Sequence, residues 1–295
     1  MDRGVYQDYS EAERVTLGDI LERYVREISP SKKAGSIEVI RIRKFLRDES
    51  ICQYKASLLS GKLISAWRDQ RLKHVSGSTV NRELNLLSHA INIARKEWGI
   101  NISNPIEMIR RPKENRAREH RLSPSEEELL ISALSETARA VNGKFRSGTR
   151  NNWIKPIVLF ALETAMRRSE LLSLRWENVN LIKRTALLPD TKNGDSRIVP
   201  LSTKAIAILE QLPRSIDGKV FPITPMSLRL AFTRACRRVG ISDLHFHDLR
   251  HEATSRLAEK LTNILELSAV TGHKDLRMLK RYYHPRAEDL ALKLG

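Results

Sequence analysis

Apolar residues recur along the first hundred positions at the spacing of amphipathic helices. Leu17, Ile20, Leu21, Tyr24, Val25 and Ile28 form one stripe; Thr16 can cap that helix and Ser29-Pro30 ends it. A second helix is predicted from Ser36 to about Asp48, and a third around Leu63 to Arg71. The clearest pattern follows Ser78. Val80, Leu84, Leu87, Ile91, Ala94 and Trp98 alternate steps of four and three, and Gly99 stands where a C′ glycine stops a helix. Its opposite face carries Asn81, Arg82, Asn85, His89, Asn92, Arg95 and Lys96.

Periodicity then lapses. Residues 110–121, RRPKENRAREHR, hold six Lys or Arg against two Glu and read as a basic linker between a domain at 1–109 and another at 122–295. Ser123-Pro-Ser-Glu126 restarts the chain as a capping box with Pro at the first helical position. A buried helix is predicted from Trp153 to about Thr164, and another from Ser169 to Trp176. Two β-prone runs, from Arg184 and from Arg197, flank Lys192-Asn193-Gly194-Asp195, a strong hairpin signal. Further helices are predicted near Ser202, after Thr224-Pro225 to near Gly240, from about His247, near Thr262 and from about Asp275. The fold class is therefore mainly α: an N-terminal helical domain, then an α-rich domain with a small antiparallel sheet.

Charge changes the picture. With 52 Lys and Arg against 35 Asp and Glu, the 295-residue chain carries +17, which points to a polyanion, most often nucleic acid. On that reading Arg82, Asn85, His89, Arg95 and Lys96 become candidates for a DNA-facing surface. So do Arg110, Arg111, Lys113, Arg116 and Arg118 of the linker; a solvated face and a solvated linker are the plainer alternatives. Cys52 and Cys236 belong to no CxxC pair, so neither a disulfide framework nor a cysteine zinc site is expected. The first twenty residues lack an apolar core, and the longest apolar run, about Ile154 to Leu162, is broken by Lys155. A cytoplasmic protein with no membrane partner is expected.

Four segments set unusual polar residues in apolar surroundings: 164–172 with Arg167 and Glu170, the Lys192 turn, 247–251 with His247, Arg250 and His251, and 271–284 with His273 and Tyr282. Two arginines can clamp a tetrahedral phosphate and stay charged at any working pH. A lysine on a hairpin tip can protonate a leaving oxygen, and histidine can shuttle a proton. A tyrosine can supply a nucleophile for a covalent phosphoryl intermediate. Each residue alone has a duller role: Arg167 can pair with Glu170 across one turn, Lys192 can sit in solvent, and Tyr282 and Tyr283 can pack. Order and spacing together weigh against coincidence.

These segments resemble the tyrosine recombinases, or phage-type integrases, and the resemblance runs from about residue 15 to the end. Thr164 to Leu171 is similar to that family's first arginine motif and assigns its arginine to Arg167, with Ala165 where glycine is usual. Lys192 matches the hairpin lysine, His247, Arg250 and His251 match the His-x-x-Arg-His box, and Gly272-His273 is followed nine residues later by Tyr282. Family spacing thus selects Arg167 over Arg168 and Tyr282 over Tyr283; neighbours on a helix point about 100° apart, so one of each pair should face the phosphate. The run HFHDLRHEA and the Met-Leu-Lys-Arg-Tyr approach to the tyrosine look like the shufflon-invertase branch.

The resemblance implies a site-specific DNA recombinase acting through a 3′-phosphotyrosyl intermediate without metal, ATP or another cofactor. Tyr282 would attack, Arg167 and Arg250 hold the non-bridging oxygens, and Lys192 protonate the 5′ oxygen. His247 would move the nucleophile's proton, His273 donate to the phosphate, and Glu170 and His251 orient the others. Its expected partners are a double-stranded recombination site, copies of itself forming a tetramer on two duplexes from a free monomer or dimer, and room for a DNA-bending accessory protein. The tail from Pro285 to Gly295 would dock on a neighbour or on its own domain. A type IB topoisomerase, a DNA-binding relative without catalysis, and a metal hydrolase using His247 and His251 are the rival readings.

Overall fold

The computed structural model describes residues 9–115, 121–135, 151–189, 196–261 and 263–283, with Ala291 and Leu294. The chain divides into two compact units, Met1–Arg118 and Glu119–Gly295, the boundary falling within the basic stretch 110–121.

The first unit is helical: α1 (Ser10–Arg14), α2 (Leu17–Glu27), α3 (Gly35–Asp48), α4 (Gly61–Leu72) and α5 (Gly77–Lys96). Thr16 caps α2 through a reciprocal box: its hydroxyl accepts from Asp19 N at 3.0 Å, and Asp19 Oδ2 accepts from Thr16 N at 2.7 Å. Leu17, Ile20, Leu21 and Tyr24 are buried with Ile42, Ile64, Leu84, Leu87 and Ile91 in one core. Three sequence expectations need correction here. α5 starts two residues early, because the cap is Ser76, whose hydroxyl accepts from Thr79 N. It ends before Trp98, which is partly buried with the Arg23 guanidinium 4.4 Å above its ring. A short helix, α1, precedes the predicted first one, its single buried residue being Ala12.

Residues 110–115 run along α5. Asn81 Nδ2 donates to Pro112 O at 2.9 Å, Arg111 Nη1 to Asn85 Oδ1 at 2.8 Å, and Asn115 N to Ser78 Oγ at 3.1 Å.

The second unit is built on α7 (Ile154–Thr164), whose Ile154, Ile157, Val158, Phe160 and Ala161 are buried. Around it stand α6 (Pro124–Ala133), α8 (Arg168–Ser173), α9 (Thr203–Glu210), α10 (Pro225–Arg238), α11 (Asp248–Lys260) and α12 (Ile264–Thr271). The Ser123 capping box is as expected: Glu126 accepts from Ser123 N at 2.9 Å and Ser123 Oγ from Glu126 N at 3.2 Å. Strands β1 (Val179–Asn180), β2 (Thr185–Leu188) and β3 (Arg197–Pro200) form an antiparallel sheet in that order, with Leu188 opposite Arg197. Ala186, Leu188 and Val199 point into the core, while Leu187 and Ile198 face out as a cross-strand pair.

Two expectations differ in this unit. α8 is six residues long because Leu174 turns extended, and a 3₁₀ turn over Trp176–Asn178 follows. No α-helix starts at Asp275; two single 3₁₀ turns, Leu276–Met278 and Lys280–Tyr282, carry the chain instead. Among the described residues no helix is long and apolar enough to cross a membrane.

Candidate active site

Arg167 sits where α7 hands over to α8. Thr164 Oγ1 donates back to Phe160 O at 2.7 Å, and Ala165 takes a left-handed conformation, φ 50°, which turns the chain. Arg167 then acts as N-cap of α8 with Glu170 at N3. The Glu170 carboxylate accepts the Arg167 backbone N–H at 2.8 Å and its Nη1 at 2.7 Å. Nη2 donates to Gly272 O at 3.0 Å, so among the described residues three of the five guanidinium N–H groups remain for other acceptors. The neighbouring Arg168 is exposed.

Glu170 is 3 % exposed and serves a second arginine: Arg197 Nη2, on β3, donates to Oε2 at 2.7 Å. Burial alone would raise this carboxyl, but Arg197 and the Arg167 backbone and side-chain donors outweigh it and hold it below the ordinary range. Arg197 also donates through Nη1 to Val270 O, and its Cδ and Nε lie 2.9 Å from where a Cβ on Gly272 would stand. Gly272 is left-handed, φ 68°, so both conformation and close packing require glycine there. Arg197 is not legible as a site residue in the sequence: inside a short β-prone run it looks like any strand cation.

α11 supplies the second arginine. Arg250 is 5 % exposed and donates to Ala165 O and, at 2.7 Å, to Thr271 O. Burial, then the Arg167 charge, pulls its guanidinium down to about 10, still charged near neutrality. His273 follows Gly272. Thr271 spends its hydroxyl proton on Leu267 O at 2.6 Å, so His273 Nδ1 must be the donor in its 2.7 Å bond to that hydroxyl. Nε2 is thereby an acceptor, 3.4 Å from Arg250 Nη2. Burial first, then Arg250 and Arg167, lowers the imidazole to about 4, so it is neutral at pH 7.

Tyr282 completes the cluster. Its hydroxyl is bonded to Nδ1 of His251, and the two rings stack at 6.0 Å. Burial raises the phenol above its usual value, with Arg281 and Arg250 opposing. His247, first residue of the histidine box, is exposed and meets His251 edge-on at 5.3 Å. Partial desolvation and Arg250 keep its imidazole below the usual range.

Arg167, His247, Arg250, His251, His273 and Tyr282 line one cleft of about 950 Å³, with Arg168, Arg229, Lys274 and Arg281 adding positive charge. Lys192 lies outside the described residues. Among those described, no cluster of three His, Cys, Asp or Glu side chains can hold a metal ion. The arrangement suits one tetrahedral anion beside a phenol.

In the first unit, Arg82, Asn85, His89, Arg95 and Lys96 are all exposed along α5, as are Arg110, Arg111 and Lys113 beside it. Asn85 is engaged with Arg111, His89 Nδ1 with the Tyr24 hydroxyl at 2.7 Å, and Arg95 lies 4.0 Å from Glu107. Arg116 and Arg118 lie outside the described residues. Asn81, which the helical pattern sets on the polar face, is buried beneath Pro112.

The family profile of the phage integrases matches residues 120–289, and the chain belongs to the phage integrase family, whose members are tyrosine-type site-specific recombinases. It is 40 % identical over 295 residues to a shufflon-specific DNA recombinase of Escherichia coli, covering 95 % of this chain and 72 % of that one. It is 36 % identical to a putative integrase/recombinase of Haemophilus influenzae, covering 92 % and 87 %. In fold it is similar to the Tn1549 transposon integrase in complex with a circular-intermediate DNA, at TM-score 0.73, 18 % identity and coverage of 95 % and 98 %. It is also similar to the lambda integrase tetramer on a Holliday junction, at TM-score 0.70, 20 % identity and coverage of 88 % and 78 %. The chain is a site-specific DNA recombinase; neither the topoisomerase nor the inactive-relative reading is favoured.

Proposed function

We propose that the cleft binds the scissile phosphodiester of a double-stranded recombination site and that Tyr282 attacks it, leaving a 3′-phosphotyrosyl link and a 5′-hydroxyl. The observation that carries this reading is the convergence of Arg167, Arg250, His273 and the Tyr282 hydroxyl on one cleft. Arg167 and Arg250 stabilise the charge of the phosphorane, each anchored so that it needs little reorganisation at the moment of reaction. Lys192 protonates the departing 5′ oxygen. The phosphotyrosine retains the energy of the broken ester, so a 5′-hydroxyl from a second duplex reseals it without ATP. Exchange of both strands requires four protomers on two duplexes, and with a shufflon-specific relative the outcome proposed is inversion of a DNA segment. The exposed cations of α5 and of residues 110–113 position the duplex through its phosphates. A DNA-bending accessory protein would bring distant sites together.

A duplex nicked near the cleavage site loses its 5′-hydroxyl fragment on cutting and traps the covalent complex. Wild-type protein should give an adduct stable in detergent, mapping to Tyr282. Tyr282→Phe should bind the same DNA with unchanged affinity and form none. An adduct persisting in that variant would move the nucleophile elsewhere, with Tyr283 the first to check.

A further inference from the structure

The phenol's partner is not the histidine that the resemblance assigns to it. Tyr282 Oη is bonded to His251 Nδ1, whereas His247 presents itself only to the edge of the His251 ring. His251 lies one helical turn along α11, and its ring also stacks on the tyrosine, so two contacts join the imidazole to the phenol. Building on the proposed reaction, we propose that His251 is the catalytic group that takes the proton of Tyr282 during DNA cleavage and returns it during rejoining.

The step balances. In the free protein the Tyr282 O–H donates to Nδ1 of a neutral His251 whose other nitrogen carries the ring proton. As Tyr282 Oη bonds to phosphorus and the P–O5′ bond breaks, the phenol proton passes to Nδ1 and His251 becomes an imidazolium. The 5′ oxygen is protonated separately, by Lys192. In rejoining, the incoming 5′-hydroxyl gives its proton back to Lys192, the P–O(Tyr) bond breaks, and the imidazolium reprotonates the phenolate. No outside acid, base or metal is consumed.

The surroundings favour the acceptor form. Burial first, then His247 and Arg281, lowers the His251 imidazole; Asp248 opposes and Arg250 adds to the lowering. From α11 the facing groups are thus His247, Asp248 and Arg250, and from the 3₁₀ turn Tyr282 and Arg281; His273 also feels the His251 charge. Cleavage that needs a neutral His251 is lost as pH falls through that lowered value, so the acidic limb lies below the ordinary histidine range.

The test is single-turnover adduct formation by the full chain on the nicked duplex, as a function of pH. His251→Asn offers an amide oxygen near the Nδ1 position that can accept a hydrogen bond but keeps no proton. It should cleave at least about 100-fold slower than wild type and lose the acidic limb, with DNA affinity unchanged. His251→Ala should fall similarly and recover part of its rate with added imidazole, which a purely structural loss would not do. His247→Asn should keep the acidic limb. A His251→Asn rate within a few-fold of wild type with the limb intact would overturn the proposal. So would a rate increase, which would mean that the contact locks the resting tyrosine. Failure of the parent reading looks different: wild-type protein itself would give no adduct at Tyr282.

Discussion

Glu170 shows what a single buried charge does for the cleft. One of its oxygens holds Arg167 Nη1, the other the Arg167 backbone N–H and Arg197 Nη2, all within 2.8 Å. Removing the charge leaves two guanidiniums facing a neutral amide, and breaking a buried pair from one side costs about 3–5 kcal/mol. Glu170→Gln should lose stability of that order in urea denaturation, in the transition of the C-terminal unit, and should slow cleavage because Arg167 is no longer aimed. Glu170 has a lowered carboxyl pKa when folded. Its contribution is therefore complete above the unfolded carboxylate value and disappears as pH falls through the folded one. His273, lowered to about 4, acts in the same direction: the unfolded chain binds its proton first, so stability falls as pH drops from about 6.5 toward 4.

His273 also carries a prediction about ligand binding. In the free protein Nε2 is an acceptor toward Arg250 and cannot donate to a phosphate oxygen. A phosphodiester beside Arg167 and Arg250 offsets the two charges that depress the imidazole, so its pKa rises on binding and a proton is taken up. Calorimetric titration of Tyr282→Phe protein with its DNA site near pH 6, in buffers of different ionisation enthalpy, should show net proton uptake. Adding His273→Gln should remove most of it. Equal uptake in both proteins would mean that His273 stays neutral in the complex.

At the scale of elements, helices with caps were the legible part of the fold. Thr16 with Asp19, Ser123 with Glu126 and Thr224 before Pro225 mark helix starts that the structure reproduces, because a cap is a local interaction written in adjacent residues. Ser78 misled because Ser76, two residues earlier, offers the same hydroxyl. The segment after Asp275 misled because its apolar residues are too few to fix a period: Leu279 is fully buried while Leu276 and Met278 are exposed, and the chain passes through two 3₁₀ turns instead of a helix. The residues that line the cleft could be picked out because their motifs are short and ordered. Arg197 and the His251–Tyr282 contact were not, since each depends on segments 27 or more residues apart meeting in space.

The α7–α8 turn adds a consequence at the same scale. Ala165 is fully buried at φ 50°, where a side chain costs about 1–2 kcal/mol and a β-branched one more. Ala165→Gly should be neutral to slightly stabilising, because relief of that strain is offset by glycine's greater unfolded freedom. Ala165→Val should destabilise by about 2 kcal/mol or more and displace the carbonyl that receives Arg250, lowering cleavage beyond the loss of folded protein. Thermal melts and adduct assays on the pair would separate the two effects.

For the whole molecule, charge is the property shared by both units. Residues 1–118 hold 23 basic against 15 acidic side chains, and residues 119–295 hold 29 against 20, so each unit is basic on its own. If both units engage phosphates, affinity is set by their summed contacts, and log K should fall with log salt at a slope of about −0.9 per neutralised phosphate. The full chain should lose about 10³–10⁵-fold in affinity between 50 and 200 mM salt, the range for six to ten phosphate contacts. Replacing Arg82 and Lys96 on α5 with Gln should flatten the slope by about 2 and weaken specific and non-specific DNA alike. Both side chains are exposed on a helix whose apolar stripe is untouched, so the fold is retained. An unchanged slope would take α5 out of the interface and leave residues 110–113 and the catalytic cleft as the surfaces that hold the duplex.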